Sequence, residues 1–284
     1  MINKNLNKKL KTLLCDGKCY NPATIFNPLS ARIAADAGFE LGIIPGKIIS
    51  LDYLSEPDLM LLTLSELTEI VRRITKYTQI PLIVDADNGY GNAINVSRTI
   101  ESLEDAGVSG IAIEDTDLPI KFGRTRKPEF LNLKEAALKI RIAVKSRQNH
   151  TTLIIARTGA YPYNGINDII ERGMAYEKEG ADALFFVNIN SERHLHKIAK
   201  SYNIPIILGN NSTKIPLTDL ANMGISVSLP GHKSYFLAME AYRKAIKHLR
   251  KTGNYEETDI NIDTINQLSN ELKYSEIIRK YMEE

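Results

Sequence analysis

A short pattern of hydrophobic and polar positions recurs along the chain and organises most of it. A segment with helical spacing ends in a small residue and a glycine, and a run of apolar residues follows within a few positions. Glycine just past a helix end is typical of a left-handed cap, and a short apolar run is typical of a buried strand. The pattern appears four times, at residues 34–45, 104–114, 177–187 and 221–229.

Four further apolar runs bring the predicted strands to eight, at residues 20–25, 81–84, 152–156 and 204–208. Helix starts agree with this division, because Asn27-Pro28, Thr63 with Glu66, and Asn132 with Glu135 have capping spacings. Short apolar strands alternating with helices predict parallel pairing through crossover helices. The predicted fold is α/β, a (β/α)8 TIM barrel, with a doubly wound open sheet as the alternative. No Gly-x-Gly-x-x-Gly follows the first predicted strand, which disfavours a dinucleotide-binding form of that alternative.

The predicted barrel, with a short N-terminal extension, covers residues 1–251, and residues 252–284 form a C-terminal helical extension. Residues 235–251 carry apolar side chains at four-residue steps, and Thr252-Gly253-Asn254 ends that helix. A second apolar pattern runs through residues 260–281. It is too apolar for a disordered tail, so we expect it to pack on the barrel or on a neighbouring subunit.

Composition and charge exclude several classes of function. Acidic and basic residues nearly cancel, at 34 against 36, and the lysines are spread along the chain, so there is no electrostatic footprint for nucleic acid. No apolar run is long enough for a membrane span, and residues 1–18 lack the apolar core of a signal peptide. Cys15 and Cys19 are the only cysteines, which favours a reducing, cytoplasmic compartment.

Polar residues gather at the C-terminal ends of the predicted strands, where such a barrel builds its active site. Strand three runs into Asp85 and Asp87, whose side chains point the same way if the strand persists that far. Strand four ends at Glu114 and strand five at Arg157. The remaining strand-end residues, in chain order, are Gly46, Lys47, Ser50, Asp58, Asp115, Thr158, Asn188, Asn190, Asn210, Asn211 and His232.

Four of these residues, Asp58, Asp85, Asp87 and Glu114, predict a metal site. Carboxylates that converge on one mouth repel each other unless a cation lies between them. An all-oxygen set without a nearby His or Cys favours Mg2+, or Mn2+, over zinc. Arg157 suggests an anionic substrate gripped by a guanidinium, although it is equally placed to do no more than neutralise the acids. His232 has a similar alternative, as a surface or helix-start residue.

The stretch 116–131 is long for a barrel loop and has no periodicity of its own. Loops of this size are often lids. A lid over a bound anion would exclude water from a reactive intermediate.

At these positions the chain resembles the isocitrate lyase/phosphoenolpyruvate mutase superfamily. The resemblance is carried by Asp85-Ala86-Asp87-Asn88-Gly89-Tyr90-Gly91-Asn92, by Gly110-Ile111-Ala112-Ile113-Glu114-Asp115 and by Ile154-Ile155-Ala156-Arg157-Thr158. It implies a (β/α)8 barrel, a Mg2+ site, and α-keto-acid substrates that pass through enolate-like intermediates. It also implies a homotetramer, a dimer of dimers, in which the C-terminal helices are exchanged between subunits.

Within that superfamily the chain is most similar to the oxaloacetate decarboxylase branch, through residues 27–36, 122–124 and 231–236. By this resemblance Asp85 is the direct metal ligand, while Asp58, Asp87 and Glu114 hold metal-bound waters. Arg157 and His232 contact the substrate and are the candidate catalytic residues. Gly46 and Lys47 complete the predicted substrate site, and Lys121, Gly123 and Arg124 belong to the predicted lid.

The chain also departs from its relatives at informative positions. The lyases of the superfamily carry Lys-Lys-Cys-Gly-His in this loop, with the thiol as general acid and base. Here the loop contains Lys121-Phe122-Gly123-Arg124 and no Cys, which argues against isocitrate or methylisocitrate cleavage. Lys47 stands where the decarboxylase branch has a substrate-contacting Ser, and Gly159 stands where Asp or Asn usually follows Arg-Thr. An ammonium at Lys47 would pair with a second carboxylate or a phosphonate, or fill the pocket.

The resulting hypothesis is Mg2+-dependent decarboxylation of oxaloacetate, or of a close β-keto acid, to pyruvate and CO2 through a metal-stabilised enolate. The partner is then a small α-keto dicarboxylate, with no nucleic acid and no membrane. One alternative is phosphonopyruvate or phosphoenolpyruvate chemistry, as a mutase or a hydrolase, with Lys47 binding the phospho group. Another is a catalytically weak homologue that binds keto acids.

Overall fold

The computed structural model of the chain describes residues 4–123, 127–256 and 262–283. Eight strands form one sheet, in which neighbours follow chain order and every pair is parallel. A doubly wound sheet would reverse its strand order part-way, so this alternative is wrong and the predicted TIM-barrel-like α/β fold is confirmed. The strands are β1 Ala23–Thr24, β2 Gly42–Ile44, β3 Leu82–Asp85, β4 Gly110–Glu114, β5 Leu153–Thr158, β6 Ala183–Val187, β7 Ile206–Gly209 and β8 Ile225–Ser228.

Tyr20 brings the first and last strands of the curled sheet together. It forms a parallel bridge with Val227. The Tyr20 N–H donates to the Ser226 carbonyl at 2.9 Å, and the Tyr20 carbonyl accepts from the Ser228 N–H at 2.9 Å. The first predicted strand, residues 20–25, therefore corresponds to this bridge followed by the two-residue β1.

Helices alternate with the strands, and a π-helical turn, Ser50–Leu54, follows the third of them. Their bounds are α1 Lys4–Cys15, α2 Pro28–Asp36, α3 Gly46–Ile49, α4 Leu64–Thr75, α5 Ala93–Asp105, α6 Leu133–Ser146, α7 Tyr161–Lys178, α8 Glu192–Ala199, α9 Leu217–Asn222, α10 Lys233–Thr252, α11 Ile262–Leu268 and α12 Glu271–Tyr281.

The predicted helix starts are confirmed in their hydrogen bonding. Asn27 caps α2 with Pro28 in its first turn, and Thr63 with Glu66 forms a capping box at α4. The Asn132 side chain accepts from the Glu135 N–H at the start of α6. Each such cap satisfies N–H groups that have no partner inside the helix, and its loss costs about 1 kcal/mol.

The barrel interior and α1 share one hydrophobic cluster. Leu10, Leu13 and Leu14 of α1 pack with inward-facing residues such as Ile83 and Phe185. Polar contacts fix α1 at the starts of the strands, because Ser226 Oγ donates to the Leu14 carbonyl at 2.6 Å. Each fully buried leucine contributes about 1.5–3 kcal/mol. With α1 at the N-terminal ends of the strands, the opposite end is left for the site.

The chain divides into two compact units, Met1–Gly231 and His232–Glu284. The second unit contains α10, α11 and α12; α10 buries one residue, Tyr235, while α11 and α12 bury none. The unit boundary lies ahead of α10, whereas the sequence analysis placed the domain boundary after it, at 251/252, and that domain division stays a prediction. Within the described ranges, no helix is both long and apolar enough to cross a membrane.

Candidate active site

The ends of three neighbouring strands bring two acids and one base into contact. β3 ends at Asp85 and β4 at Glu114, and Arg157 of β5 lies opposite Glu114 in the strand register. Arg157 Nη1 donates to Asp85 Oδ1 at 2.6 Å and lies 3.0 Å from Glu114 Oε2. The guanidinium also lies over the Phe185 ring, 5.7 Å from its centroid. Arg157 thus pairs with both acids, and its single positive charge offsets one of their two negative charges.

Asp87 reaches the same place through a turn. The predicted alternation of side chains required a strand that continues to Asp87, and this condition is not met, because β3 ends at Asp85 and Asp87 has φ of +46°. Aspartate tolerates this left-handed backbone better than most residues. The Asp87 carbonyl accepts from the Glu114 N–H at 2.8 Å. Its carboxylate lies against Gly46, where a Cβ would stand 3.2 Å from Asp87 Oδ1, so Gly46 leaves room for this acid.

Asp58 comes from the segment after the π-helical turn. Buried Ser50 holds the end of that segment, since its hydroxyl lies 3.1 Å from the Glu56 carbonyl and 3.2 Å from the Pro57 carbonyl. Burial and the charge of Asp85 raise the pKa of Asp58, and the charges of Arg157 and Lys47 partly oppose that rise. Lys47 is exposed, and its positive charge acts on the site through Asp58, whose pKa it lowers.

Burial and mutual repulsion also raise the pKa of the two deeper acids. For Asp87, burial is the largest cause, followed by the charges of Asp85 and Glu114. For Glu114, burial raises the pKa, while Arg157 opposes that effect and Asp85 adds to it. Burial alone would lower the pKa of Arg157, but the charges of Asp85 and Glu114 raise it above its ordinary value. The acids outweigh Arg157, so the site favours an additional cation.

The donor set fits a hard divalent cation held largely through water. All four acids offer oxygen, which suits Mg2+ or Mn2+. Among residues 4–123, 127–256 and 262–283, no three acidic, His or Cys side chains form a ready set of direct ligands. A magnesium ion usually keeps several waters and takes one or two carboxylates. The geometry is therefore compatible with one direct carboxylate and water-mediated contacts from the others.

A cavity of about 390 Å³ opens above Arg157. Its wall combines polar and apolar groups, a mixture typical of small-molecule sites. Among the described residues its polar lining includes Asp58, Glu114, Arg157, Asn188 and Asn210, and its apolar lining includes Leu59, Leu118, Ile120, Phe130, Tyr163 and Val187. Arg157 Nε is buried and has no hydrogen-bond partner in the described part of the chain. A buried donor of this kind suits an incoming anion.

Comparison with known proteins identifies the family. The profile of the phosphoenolpyruvate phosphomutase family matches residues 10–250. The chain belongs to this family. Its curated relatives include an oxaloacetate decarboxylase of Pseudomonas fluorescens (strain SBW25), 42% identical over 254 residues that cover 87% of this chain and 85% of the relative. Another is an oxaloacetate decarboxylase of Rhodopseudomonas palustris (strain BisB18), 41% identical over 248 residues, with 87% and 86% covered.

Solved structures of this family have the same fold. A phosphonopyruvate hydrolase in complex with oxalate and Mg2+ is 27% identical, with a TM-score of 0.85 and both chains fully covered. An oxaloacetate acetylhydrolase in complex with 3,3-difluorooxalacetate is 25% identical, with a TM-score of 0.87 over 100% of this chain and 99% of the other. The resemblance to the isocitrate lyase/phosphoenolpyruvate mutase superfamily is therefore confirmed.

Of the three residues predicted for the lid, the structure describes Lys121 and Gly123. Lys121 lines the cavity and forms an ion pair with Asp117. Gly123 has φ of +77°, a backbone that glycine adopts without strain. Arg124 lies outside the described residues. The roles of these three residues stay a prediction.

His232 lies at the start of the second compact unit. It is the N-cap residue of α10, with φ of −107° and ψ of 39°. The alternative interpretation of His232 as a helix-start residue therefore matches its position in the chain. Its contact with substrate stays a prediction.

Sequence reasoning missed the aromatic part of the cavity wall. Phe130 lies in the returning half of the long loop and Tyr163 in the first turn of α7, with ring centroids 5.8 Å apart. Position after a strand end was the one available signal for Tyr163. The same signal put Asp115 among the strand-end residues, but its side chain turns away from the site and pairs with Arg172 at 3.0 Å.

Proposed function

We propose that the protein is an Mg2+-dependent decarboxylase that converts oxaloacetate, or a close β-keto acid, to pyruvate and CO2. The observation that carries this proposal is the half-buried Arg157, paired with Asp85 and Glu114 at the mouth of the barrel. The proposal is supported by the relatives named oxaloacetate decarboxylase, which are about 40% identical over most of the chain. It also agrees with the oxygen-rich, anion-accepting character of the cavity.

The four acids would hold the metal. Asp85 would bind it directly, and Asp58, Asp87 and Glu114 would hold its waters, with Mn2+ as a possible substitute for Mg2+. When bound, Mg2+ supplies a Lewis acid that draws electron density from the keto group of the substrate. Without a cation, burial and neighbouring negative charges raise the pKa of Asp87 and of Glu114. A bound cation would favour the ionised form of both acids, which supports this assignment.

The residues of the chain would bind the substrate and stabilise the charge that develops during the reaction. Loss of CO2 breaks the bond between C3 and C4 and leaves its electron pair on the remaining three carbons as the enolate of pyruvate. Arg157 would face this negative charge with its planar guanidinium. Backbone N–H groups near Gly46, at the start of α3, would add further donors. A proton delivered to C3 then completes pyruvate.

His232 and Lys47 would recognise the carboxylate that leaves. His232 would orient it or deliver the proton to C3, and Lys47 would pair with it from the side of Asp58. The lid residues Lys121, Gly123 and Arg124 would close the cavity against water while the enolate exists. The lining position of Lys121 supports this role.

Phosphonopyruvate or phosphoenolpyruvate chemistry is a second candidate. The fold is similar to that of a phosphonopyruvate hydrolase at a TM-score of 0.85 and 27% identity. Lys47, in place of the serine of the decarboxylase branch, would bind the phospho group. A weakly active homologue that binds keto acids is the third candidate.

We further propose that the protein forms a homo-oligomer, a dimer of dimers, through its C-terminal helices. Nothing in α11 or α12 is buried, although both helices carry large apolar side chains. The exposed ones are Ile262, Ile265, Leu272, Tyr274, Ile277, Ile278 and Tyr281. Apolar surface of this extent is typical of an interface, and exchange of these helices between subunits would cover it.

Incubation with three substrates tests the proposed function. The purified protein with Mg2+ is given oxaloacetate, phosphonopyruvate or phosphoenolpyruvate. Release of pyruvate, CO2 and phosphate, and interconversion of the two phospho compounds, are followed against a protein-free background that contains the same metal. Pyruvate and CO2 from oxaloacetate, in equal amounts and above that background, support the decarboxylase. Turnover confined to the phospho compounds supports the second candidate. Binding of keto acids without any turnover supports the third.

A further inference from the structure

The two ends of the long loop between β4 and α6 are tied together. Thr116 and Phe130 form an antiparallel bridge. On either side of it, the Asp117 N–H donates to the Glu129 carbonyl at 2.8 Å, and the Leu131 N–H donates to the Asp115 carbonyl at 2.9 Å. We call residues 115–117 with residues 129–131 the neck of the loop.

A single arginine of α7 contacts both sides of this neck. Arg172 Nη1 lies 3.0 Å from Asp115 Oδ2, on the outgoing side, and 3.0 Å from the Leu131 carbonyl, on the returning side. Arg172 Nε donates to Asp168 Oδ2 at 2.7 Å, which fixes the guanidinium on its own helix. The Tyr176 hydroxyl donates to the same Asp115 oxygen at 2.6 Å. Asp115, Arg172 and Tyr176 are each at most 5% exposed.

These residues do not touch the cavity themselves. Asp115, Arg172 and Tyr176 are not among the described residues that line the cavity. Thr116 and Phe130 of the neck do line it, and so does Glu114, which directly precedes the neck. A displacement of either side of the neck would therefore move a wall of the cavity. Nη1 of the planar guanidinium makes both contacts with the neck while Nε binds Asp168 on its own helix, whereas a lysine amine would have to make all three contacts from one atom.

We propose that Arg172 is a positioning residue that clasps the neck and thereby fixes the wall of the cavity formed by Thr116 and Phe130 relative to Glu114. It acts on the substrate only through those residues. The clasp gives this buried ion pair a role at a place that does not touch the cavity, because the bond from Nε to Asp168 holds Nη1 between the two sides of the neck. The kinetic part of this inference rests on the proposed decarboxylation, but its structural part does not.

Arg172→Lys tests the clasp, because it keeps the positive charge beside Asp115 and removes the forked geometry. Arg147→Lys is the matched control. Arg147 Nη1 likewise contacts a carbonyl, that of Thr152 at 2.9 Å, and an acid, Asp182 at 2.5 Å, at the start of β5 and far along the strand from the neck. Tyr176→Phe is a milder second variant, which removes one hydrogen bond to Asp115 and leaves Arg172 in place.

Two measurements report on the position of the neck. The first is the rate of tryptic cleavage after Lys121, measured by mass spectrometry on the folded protein. The second is the pair of constants kcat and KM for oxaloacetate with Mg2+. We expect Arg172→Lys to raise the cleavage rate about tenfold over Arg147→Lys, and to raise KM about tenfold with a smaller change in kcat. Tyr176→Phe should shift both readouts in the same direction by a few-fold.

A cleavage rate in Arg172→Lys equal to that in Arg147→Lys would overturn the proposal. So would an unchanged KM in an Arg172→Lys protein that decarboxylates oxaloacetate. If Arg172→Lys does not fold, Tyr176→Phe compared with Arg147→Lys decides by the same two readouts. If the wild-type protein does not decarboxylate oxaloacetate, the proposed function fails, while the cleavage rates still decide whether the clasp exists.

Discussion

Replacement of Arg157 separates the two roles that its position allows, charge neutralisation and substrate binding. At an effective dielectric constant of about 20, unit charges about 3 Å apart attract by about 5–6 kcal/mol, and Arg157 lies at 2.6 and 3.0 Å from two acids. Desolvation cancels much of this attraction, and removal of one partner of a buried pair costs about 3–5 kcal/mol. We therefore expect Arg157→Met to lower the free energy of unfolding by about 3–5 kcal/mol at neutral pH.

Arg157→Lys is the informative companion to that variant. It keeps a positive charge near Asp85 and Glu114, so its loss of stability in urea denaturation should be clearly smaller than that of Arg157→Met. It cannot present the planar pair of donors that a carboxylate or an enolate accepts. We expect kcat/KM for oxaloacetate to fall about 100-fold or more, the loss typical of a missing donor to a developing negative charge. Activity within about threefold of wild type would refute substrate binding by Arg157 and leave only neutralisation.

Two further predictions concern the charges around the site. The pKa of Asp87 is raised in the folded protein. Its protonated carboxyl therefore contributes to stability below the unfolded pKa of about 4, and this contribution is lost as the pH rises through the folded-state pKa. Metal-free Asp87→Asn should therefore melt at a higher temperature than wild type at pH 8 but not at pH 4, and an equal difference at both pH values would contradict this. Lys47→Ser removes an exposed charge worth at most about 1 kcal/mol, so KM for oxaloacetate should rise by at most about fivefold with kcat unchanged. A gain in kcat would instead mean that Lys47 had diverted the site from oxaloacetate.

The order of the strands made much of the site predictable. Eight apolar runs in sequence predicted parallel neighbours, and neighbours in a parallel barrel end at the same mouth. Asp85 and Glu114 end two neighbouring strands, and Arg157 is the last residue but one of the next strand, so their convergence followed from the sequence alone. The strand order could be predicted because apolar runs and glycine-terminated helices are both recognisable in short segments of the sequence.

What the sequence did not predict depends on backbone turns and side-chain directions. Asp87 joins the site through a left-handed turn at φ of +46°, and strand alternation does not describe such a turn. Asp115 follows Glu114 directly, yet its side chain faces Arg172 of α7, a contact set by tertiary packing. Phe130 and Tyr163 meet only after the long loop has folded back on itself, and their spacing in the chain gives no sign of this.

The central claim is that Asp85 holds a metal with which this chain decarboxylates oxaloacetate. The most direct measurement is Mg2+-dependent release of pyruvate and CO2 from oxaloacetate by the wild type and by Asp85→Ala, each corrected for the metal-only background. We predict equal amounts of both products from the wild type and a loss of at least about 100-fold in Asp85→Ala, since even outer-shell partners of a metal are worth 10–100-fold. No release by the wild type above background, or an Asp85→Ala protein as active as the wild type, would contradict the claim.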